Sequence, residues 1–175
     1  MNKAKSFKQL LATVTVITLI NACDSAPPST PMCRISDAHQ DDATGNAGCF
    51  IRLGEKIVTV GNKMTGKLDM PGGLSSNNES AQCTAHRETF EETGFNVEVG
   101  ELLNVTDNGF RIYHCLLSND LNEGIEEFPV PDWAHSEVDF IQLTDPFDTL
   151  PGQWRYPRRH LDTLSMFNKT NPKED

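Results

Sequence analysis

Three glutamates within a stretch of five residues constrain this chain more than any other feature of its sequence. Glu88, Glu91 and Glu92 stand at positions i, i+3 and i+4, so on a helix they project from one face. Like charges that close repel one another, and a helix does not gather them for stability. A divalent cation would turn the repulsion into binding, and carboxylate oxygens are the hard ligands that suit Mg²⁺ or Mn²⁺.

The cluster lies in a segment that predicts a helix over residues 78–93. A capping box of Ser76 and Glu79 opens this helix, and Gly94 follows it as a C-terminal cap. Glu79 also stands where the helix dipole favours a negative charge. Arg87 can orient a neighbouring carboxylate through a forked hydrogen bond. Taken alone, such a cluster is typical of a solvated, charged helix face. The surrounding sequence distinguishes that alternative from a metal site.

The surrounding stretch, residues 73–95, reads GLSSNNESAQCTAHRETFEETGF. It resembles the Nudix box, whose pattern is G-x5-E-x7-R-E-U-x-E-E-x-G-U, with U a bulky apolar residue. Eight of its nine fixed positions are met, by Gly73, Glu79, Arg87, Glu88, Glu91, Glu92, Gly94 and Phe95. Thr89 stands at the ninth, where its β-branched side chain and the neighbouring Phe90 predict a local repacking. The resemblance favours the metal site over the solvated helix face.

The resemblance implies a Nudix-like α/β/α sandwich with a mixed sheet, and the rest of the chain agrees with a mixed α/β domain. Short β-rich runs lie on both sides of the box, and a second helix follows them. The predicted strands cover residues 47–53, 56–60, 95–105, 110–117 and 138–143, and the second helix covers 158–167. Residues 121–132 predict a loop, residues 47–168 the domain, and residues 169–175 a polar tail.

The resemblance also implies a reaction, the hydrolysis of a pyrophosphate linkage in a nucleoside diphosphate joined to another group. The implied ligands of Mg²⁺ or Mn²⁺ are Glu88, Glu91, Glu92 and the backbone carbonyl of Gly72. A water activated by the metal and by a glutamate base would attack phosphorus. The base is Glu88 or a glutamate of a later loop, where Glu137 is favoured over Glu127 because it leads into a strand. Arg87 would assist by orienting a carboxylate.

Charge narrows the partners of this domain. The net charge of −10 repels polyanions, so polymeric nucleic acid is not an expected partner, whereas a small phosphorylated substrate can bind through a metal. A nucleotide derivative or a lipid-linked pyrophosphate fits. The dense basic cluster of Arg155, Arg158 and Arg159 predicts contact with a second phosphate or an anionic lipid headgroup, or else a solvated helix start. The alternative function is an inactive Nudix-fold lipoprotein that binds a nucleotide or pyrophosphate; the filled ligand positions favour the enzyme.

The first 22 residues predict an export signal. Basic residues precede a short apolar run over residues 10–20, which is too short to span a membrane. Ile20-Asn21-Ala22-Cys23 resembles a bacterial lipobox, in which the chain is cut before the cysteine and the cysteine receives a lipid. We therefore expect a lipid-anchored protein of the bacterial cell envelope that faces the periplasm. Asp24 resembles an inner-membrane retention signal.

The next segment, residues 23–46, is rich in Pro, Ser, Asp and Thr and predicts a flexible tether. Once Cys23 carries a lipid, an even number of cysteines remains for an oxidising compartment, which favours two disulfides. The four cysteines are Cys33, Cys49, Cys83 and Cys115. Three pairings are open, and four buried free thiols are the alternative.

The lipobox interpretation predicts the behaviour of a Cys23→Ser variant. Without the thiol there is no site for the lipid, so the variant should move from the membrane fraction to the soluble fraction. Fractionation of cells that express each protein measures this. A variant that stays in the membrane fraction as tightly as the parent would contradict the lipobox.

Overall fold

The protein is described by a computed structural model that covers residue 26 and residues 28–117 and 125–170. The predicted signal peptide, the lipid site at Cys23, part of the predicted loop and residues 171–175 of the tail lie outside the described residues. Within the described ranges, no helix is both long and apolar enough to cross a membrane.

The described residues form two α-helices, nine strands and three short 3-10 helices. The α-helices are α1 (Ala81–Thr93) and α2 (Arg159–Lys169). The strands are β1 (Ala47–Phe50), β2 (Arg52–Leu53), β3 (Lys56–Asn62), β4 (Leu68–Asp69), β5 (Gly72–Gly73), β6 (Val97–Val105), β7 (Arg111–Leu117), β8 (Glu127–Phe128) and β9 (Val138–Thr144). The 3-10 helices are Asp37–His39, Pro146–Asp148 and Pro151–Gln153.

The strands form two sheets. The first has the order β5-β1-β7-β6, with β1 and β7 parallel and the other pairs antiparallel. The second has the order β2-β3-β9-β8, with β4 also paired to β3, and all its pairs are antiparallel. One sheet is therefore mixed, as predicted. The predicted loop over residues 121–132 contains the short strand β8, because its backbone pairs with β9.

Two apolar clusters show how the sheets are covered. The first joins Ala81 and Ala85 of α1 to residues of both sheets, among them Val99 and Tyr113. The second lies under α2, where Met166 and Phe167 cluster with Trp154 and with buried strand residues such as Phe50 and Ile112. One helix thus covers each side of the sheet layer, which confirms the predicted α/β/α sandwich.

The buried face of α1 contains few large apolar side chains. It consists of Ala81, Gln82, Thr84, Ala85, His86, Thr89 and Thr93. Hydrogen bonds compensate for this polarity: Gln82 donates to the carbonyls of His39 and Gly100, and His86 Nε2 lies 3.0 Å from Asn96 Oδ1. This helix is therefore positioned by polar contacts as much as by apolar burial.

Two disulfides fasten the elements around α1, as the cysteine count predicted. Cys33–Cys83 joins the N-terminal segment to α1, and Cys49–Cys115 joins β1 to β7 under the helix. The structure thereby selects one of the three pairings that the sequence left open.

Residues 33–46 correct the predicted tether, because they are bound to the domain and are not a free linker. The backbone around Ser36 pairs with Val99 of β6, and the Ala81 N–H donates to the carbonyl of Ala43. Asp41 accepts a hydrogen bond from the Tyr113 hydroxyl. Composition predicted a solvated segment, but the Cys33–Cys83 crosslink and these hydrogen bonds outweigh its lack of apolar residues.

The start of α1 also differs from the prediction. Ser80 is the N-cap, with its hydroxyl accepting from the Cys83 N–H, so the helix begins three residues later than expected. Ser76 and Glu79 form a turn before it, in which the Ser76 N–H donates to the Glu79 carboxylate. The C-terminal prediction is confirmed: Gly94 has a φ of 75°, and its N–H donates to the Phe90 carbonyl.

Removal of each disulfide should have a distinct effect. Replacing both cysteines of either pair by Ala should lower the free energy of unfolding by about 2–4 kcal/mol, because each bond closes a long loop in the unfolded chain. Loss of Cys33–Cys83 should also raise amide hydrogen exchange in residues 34–46, whereas loss of Cys49–Cys115 should not do so selectively. Denaturant unfolding and hydrogen exchange measure these effects. Four free thiols in the unreduced parent would contradict both disulfides.

Candidate active site

The guanidinium of Arg87 lies at the centre of the glutamate cluster. Its Nε and Nη2 donate to the two carboxylate oxygens of Glu79 at 2.9 and 2.8 Å. Its Nη1 donates to Glu88 at 2.6 Å and to Glu91 at 2.9 Å, and Nη2 also reaches the Leu74 carbonyl at 2.8 Å. Arg87 therefore orients Glu88, as predicted, and in addition ties α1 to the loop before it.

Glu79 has a larger role than a negative charge near a helix start. It accepts from Arg87, from the Ser76 N–H and from the Thr84 hydroxyl. The hydrogen bond from Arg87 is the main reason why the pKa of Glu79 falls to about 2. The same pairing raises the pKa of Arg87, so this ion pair stays charged at any ordinary pH.

Glu88 lies against the backbone of β5. A Cβ atom on Gly73 would collide with its carboxylate, so a larger residue at this position would displace the Glu88 carboxylate from where it lies. Burial raises the pKa of Glu88 against the lowering effect of Arg87, and the charges of Glu91 and Glu137 raise it further. The glycine that begins the motif thus has a steric reason.

Glu92 projects to the preceding residue of the same strand. The Gly72 N–H donates to Glu92 Oε2 at 2.9 Å, so the structure brings these two predicted ligands together, through the amide N–H of Gly72. Burial raises the pKa of Glu92 well above its usual range, in spite of that hydrogen bond. The neighbouring charges of Asp69, Glu88 and Glu137 act in the same direction.

Glu137 comes from a different part of the chain. It ends a turn after Ala134 and leads into β9, and its carbonyl accepts from the Lys63 N–H at 2.8 Å. Its charge acts on both Glu88 and Glu92. Glu127 lies on β8 opposite Gln142. The effect of Glu137 on both Glu88 and Glu92 is the observation that associates Glu137 with the cluster.

Asp69 is a carboxylate near the cluster that the motif did not reveal. It ends β4 and receives ion pairs from Arg159 and, at 3.6 Å, from Arg155. Burial raises its pKa although both arginines lower it. The predicted basic cluster is thus divided: Arg159 is buried against Asp69, whereas Arg158 pairs with Asp107 at the surface. The sequence signal that could have pointed to Asp69 was its position, three residues before Gly72.

The far end of α1 is held by an aromatic residue. Trp133 donates from its indole N–H to the Glu91 carbonyl at 3.0 Å, and its ring stacks on Phe90. These contacts fix the backbone that carries Glu91 and Glu92.

The donor set fits a hard divalent cation. Burial and neighbouring negative charges raise the pKa of both Glu88 and Glu92, so the fold alone disfavours their charged forms. Their carboxylate oxygens suit Mg²⁺ or Mn²⁺. Within residues 26, 28–117 and 125–170, no three acidic, histidine or cysteine side chains are grouped so that they could hold a metal ion as they stand. Arg87 instead engages Glu88 and Glu91.

Comparison with known proteins agrees with this fold and motif. The NUDIX domain family matches residues 43–163. A MutT-like protein of Streptomyces ambofaciens is 28% identical over an alignment of 115 residues, and the match covers 58% of this chain and 75% of that protein. The chain therefore belongs to the NUDIX domain family.

Solved structures share the fold at low sequence identity. An ADP-ribose pyrophosphatase of Streptococcus suis superposes with a TM-score of 0.59 at 16% identity, over 73% of this chain and 92% of that one. A UDP-X diphosphatase superposes with a TM-score of 0.56 at 20% identity, over 78% of this chain and 68% of that one.

The Glu79–Arg87 pair predicts a pH dependence of stability. The pKa of Glu79 in the fold, about 2, lies below its ordinary value of 4.5, so the pair stabilises the fold above pH 4.5 and loses this effect as the pH falls towards 2. Glu79→Gln should lower the free energy of unfolding at pH 7 by at most about 3 kcal/mol. The difference from the parent should shrink between pH 4.5 and 2, as denaturant titrations at several pH values would show. A difference that does not change with pH would contradict the ion pair.

Proposed function

We propose that this protein is a divalent-metal-dependent hydrolase that cleaves the pyrophosphate linkage of a nucleoside diphosphate joined to another group. The observation that carries the proposal is the crowding of carboxylates at the end of α1: Glu92 accepts from the Gly72 N–H, Arg87 orients Glu88, and the charge of Glu137 raises the pKa of both. Such crowding of carboxylates is costly for the fold alone and useful for a cation.

The residues that would hold Mg²⁺ or Mn²⁺ are Glu88, Glu91 and Glu92, with the backbone of Gly72 beside them. A bound cation supplies charge neutralisation of the pyrophosphate and a water of lowered pKa. The chain contributes position: Arg87 orients Glu88 and Glu91, and the Gly72 N–H orients Glu92. The guanidinium also limits the repulsion between glutamates before substrate arrives.

Glu137 is our proposed general base. It is exposed, it lies on a loop and not on the crowded helix, and its charge acts on both Glu88 and Glu92. In this role it takes the proton of the water that attacks phosphorus. Glu88 is the alternative base, but Arg87 engages one of its oxygens at 2.6 Å.

The substrate class follows from the relatives and from the charge of the domain. The similar proteins are named as a MutT-like protein, an ADP-ribose pyrophosphatase and a UDP-X diphosphatase, which supports a nucleotide-linked pyrophosphate as substrate. With a net charge of −10, the protein disfavours polymeric nucleic acid. We further propose that a lipid on Cys23 anchors it in the bacterial envelope facing the periplasm, where nucleotide derivatives and lipid-linked pyrophosphates are within reach.

Substitution of the proposed ligands tests this mechanism. Glu92→Gln keeps size and removes a charge, so metal should bind more weakly and turnover should fall by about 100-fold or more, about 3 kcal/mol in the barrier. Stability without metal should hold or rise, because the raised pKa of Glu92 means that its charge opposes folding at neutral pH. The measurements are hydrolysis of a nucleotide panel at saturating Mg²⁺ or Mn²⁺ and thermal unfolding without metal.

Glu101→Gln on β6 is the matched control, since it removes one exposed carboxylate away from the cluster and should change neither quantity. A double variant, Glu91→Gln with Glu92→Gln, that hydrolyses substrate at the parental rate would refute the mechanism. A parent that binds nucleotides and metal but releases no product would instead favour the binding protein.

A further inference from the structure

A cavity of about 590 Å³ lies outside the glutamate cluster, between the β6–β7 turn and the start of α2. Its volume is typical of small-molecule sites, which run from about 300 to 1,000 Å³. Its lining includes Asn104, Asp107 and Asn108 on one side and Tyr156, Arg158 and Arg159 on the other. The lining surface is about half polar and half apolar and includes charged and amide side chains, which suits a sugar, a base or an anion better than a lipid chain.

The strand register places this cavity within reach of the cluster. Gly72 of β5 pairs with Gly48, Gly48 with Ile112, and Ile112 with Asn104 at the cavity wall. These three steps across the first sheet span about 14 Å at the usual spacing of strands. At this separation, a substrate with its pyrophosphate at Gly72 is long enough for its distal group to lie in the cavity.

Arg159 is a fixed part of the cavity lining and connects it, through Asp69, to the glutamate cluster. Its guanidinium pairs with Asp69 and lies 4.6 Å from the ring centroids of both Phe110 and Tyr156. It is buried, and its charge is neutralised by Asp69, whose charge acts on Glu92. Arg159 thus shapes the cavity but is already committed to a partner.

Arg158, by contrast, can change its partner at little cost. Its side chain is 90% exposed and pairs at 3.0 Å with Asp107, whose side chain is 92% exposed. An ion pair between two such exposed groups contributes little to stability. An anionic group of a ligand can therefore replace Asp107 while Asp107 returns to water. On a protein with a net charge of −10, a readily available cation at a cavity rim favours an anion there.

We propose, on the basis of the hydrolase function above, that this cavity holds the group beyond the pyrophosphate and that Arg158 pairs with a phosphate or carboxylate on that group. The enzyme then prefers substrates that carry a negative charge in addition to the pyrophosphate. Asn104 and Asn108 supply amide donors and acceptors for the uncharged part of the same group.

Two matched pairs of substrates test the preference. UDP-glucuronate and UDP-glucose differ by a carboxylate, and a nicotinamide dinucleotide with or without its 2′-phosphate differs by a phosphate. The parent should show a higher kcat/KM for the charged member of at least one pair, which also identifies the anion. Arg158→Ala should reduce that preference by about 10-fold through KM, as expected for loss of one charged hydrogen bond, and Arg158→Lys should retain part of it.

Lys169→Ala is the matched control, because it removes the same charge from the other end of α2 and should leave the preference unchanged. The proposal is overturned if the parent prefers the charged member of neither pair, or if Arg158→Ala leaves the preference intact.

If the parent cleaves none of these compounds, the hydrolase function fails separately, and calorimetric binding of the same pairs tests the cavity. A charged-ligand preference that Arg158→Ala removes then supports the cavity, and the lack of one overturns it.

Discussion

One guanidinium group holds the glutamate-rich end of this fold together. Arg87 donates to three carboxylates and one carbonyl, from both sides of the helix start. Because Glu79 lies before the N-cap, this contact fixes the loop as well as the helix, and so holds β5 in position relative to α1. The steric fit of Glu88 over Gly73 and the hydrogen bond from Gly72 to Glu92 both depend on that relative position.

The same helix is anchored in an unusual way for a buried element. Threonine, alanine and glutamine occupy most of its inner face, and Thr89, at the apolar position of the motif, buries a hydroxyl that has no partner among the described residues. An unpaired buried hydroxyl costs about 1–3 kcal/mol. Two disulfides and the hydrogen bonds of Gln82 offset this weak apolar packing. Where the sequence predicted a local repacking at Thr89, the structure has a buried polar side chain, and contacts elsewhere on the helix offset its cost.

Features that depend on neighbouring residues could be predicted from the sequence, and features that depend on distant contacts could not. The strands, the Gly94 cap and the alignment of the glutamates follow from short-range periodicity and turn chemistry. The pairing of Cys33 with Cys83, the docking of residues 33–46 and the ion pair between Asp69 and Arg159 join residues far apart in the chain. Amino-acid composition does not predict these long-range contacts, so the polar, proline-containing segment was predicted to be a tether.

The docking of that segment also sets a length scale. A lipid on Cys23 would be separated from the first covalent attachment, Cys33, by ten residues, which reach at most about 35 Å when fully extended. The second point of that attachment, Cys83, lies on the helix that carries the glutamates. A short linker would then hold the domain, with its glutamate helix, close to the bilayer surface. A substrate embedded in or concentrated at that surface would encounter the helix more often than one in the bulk periplasm.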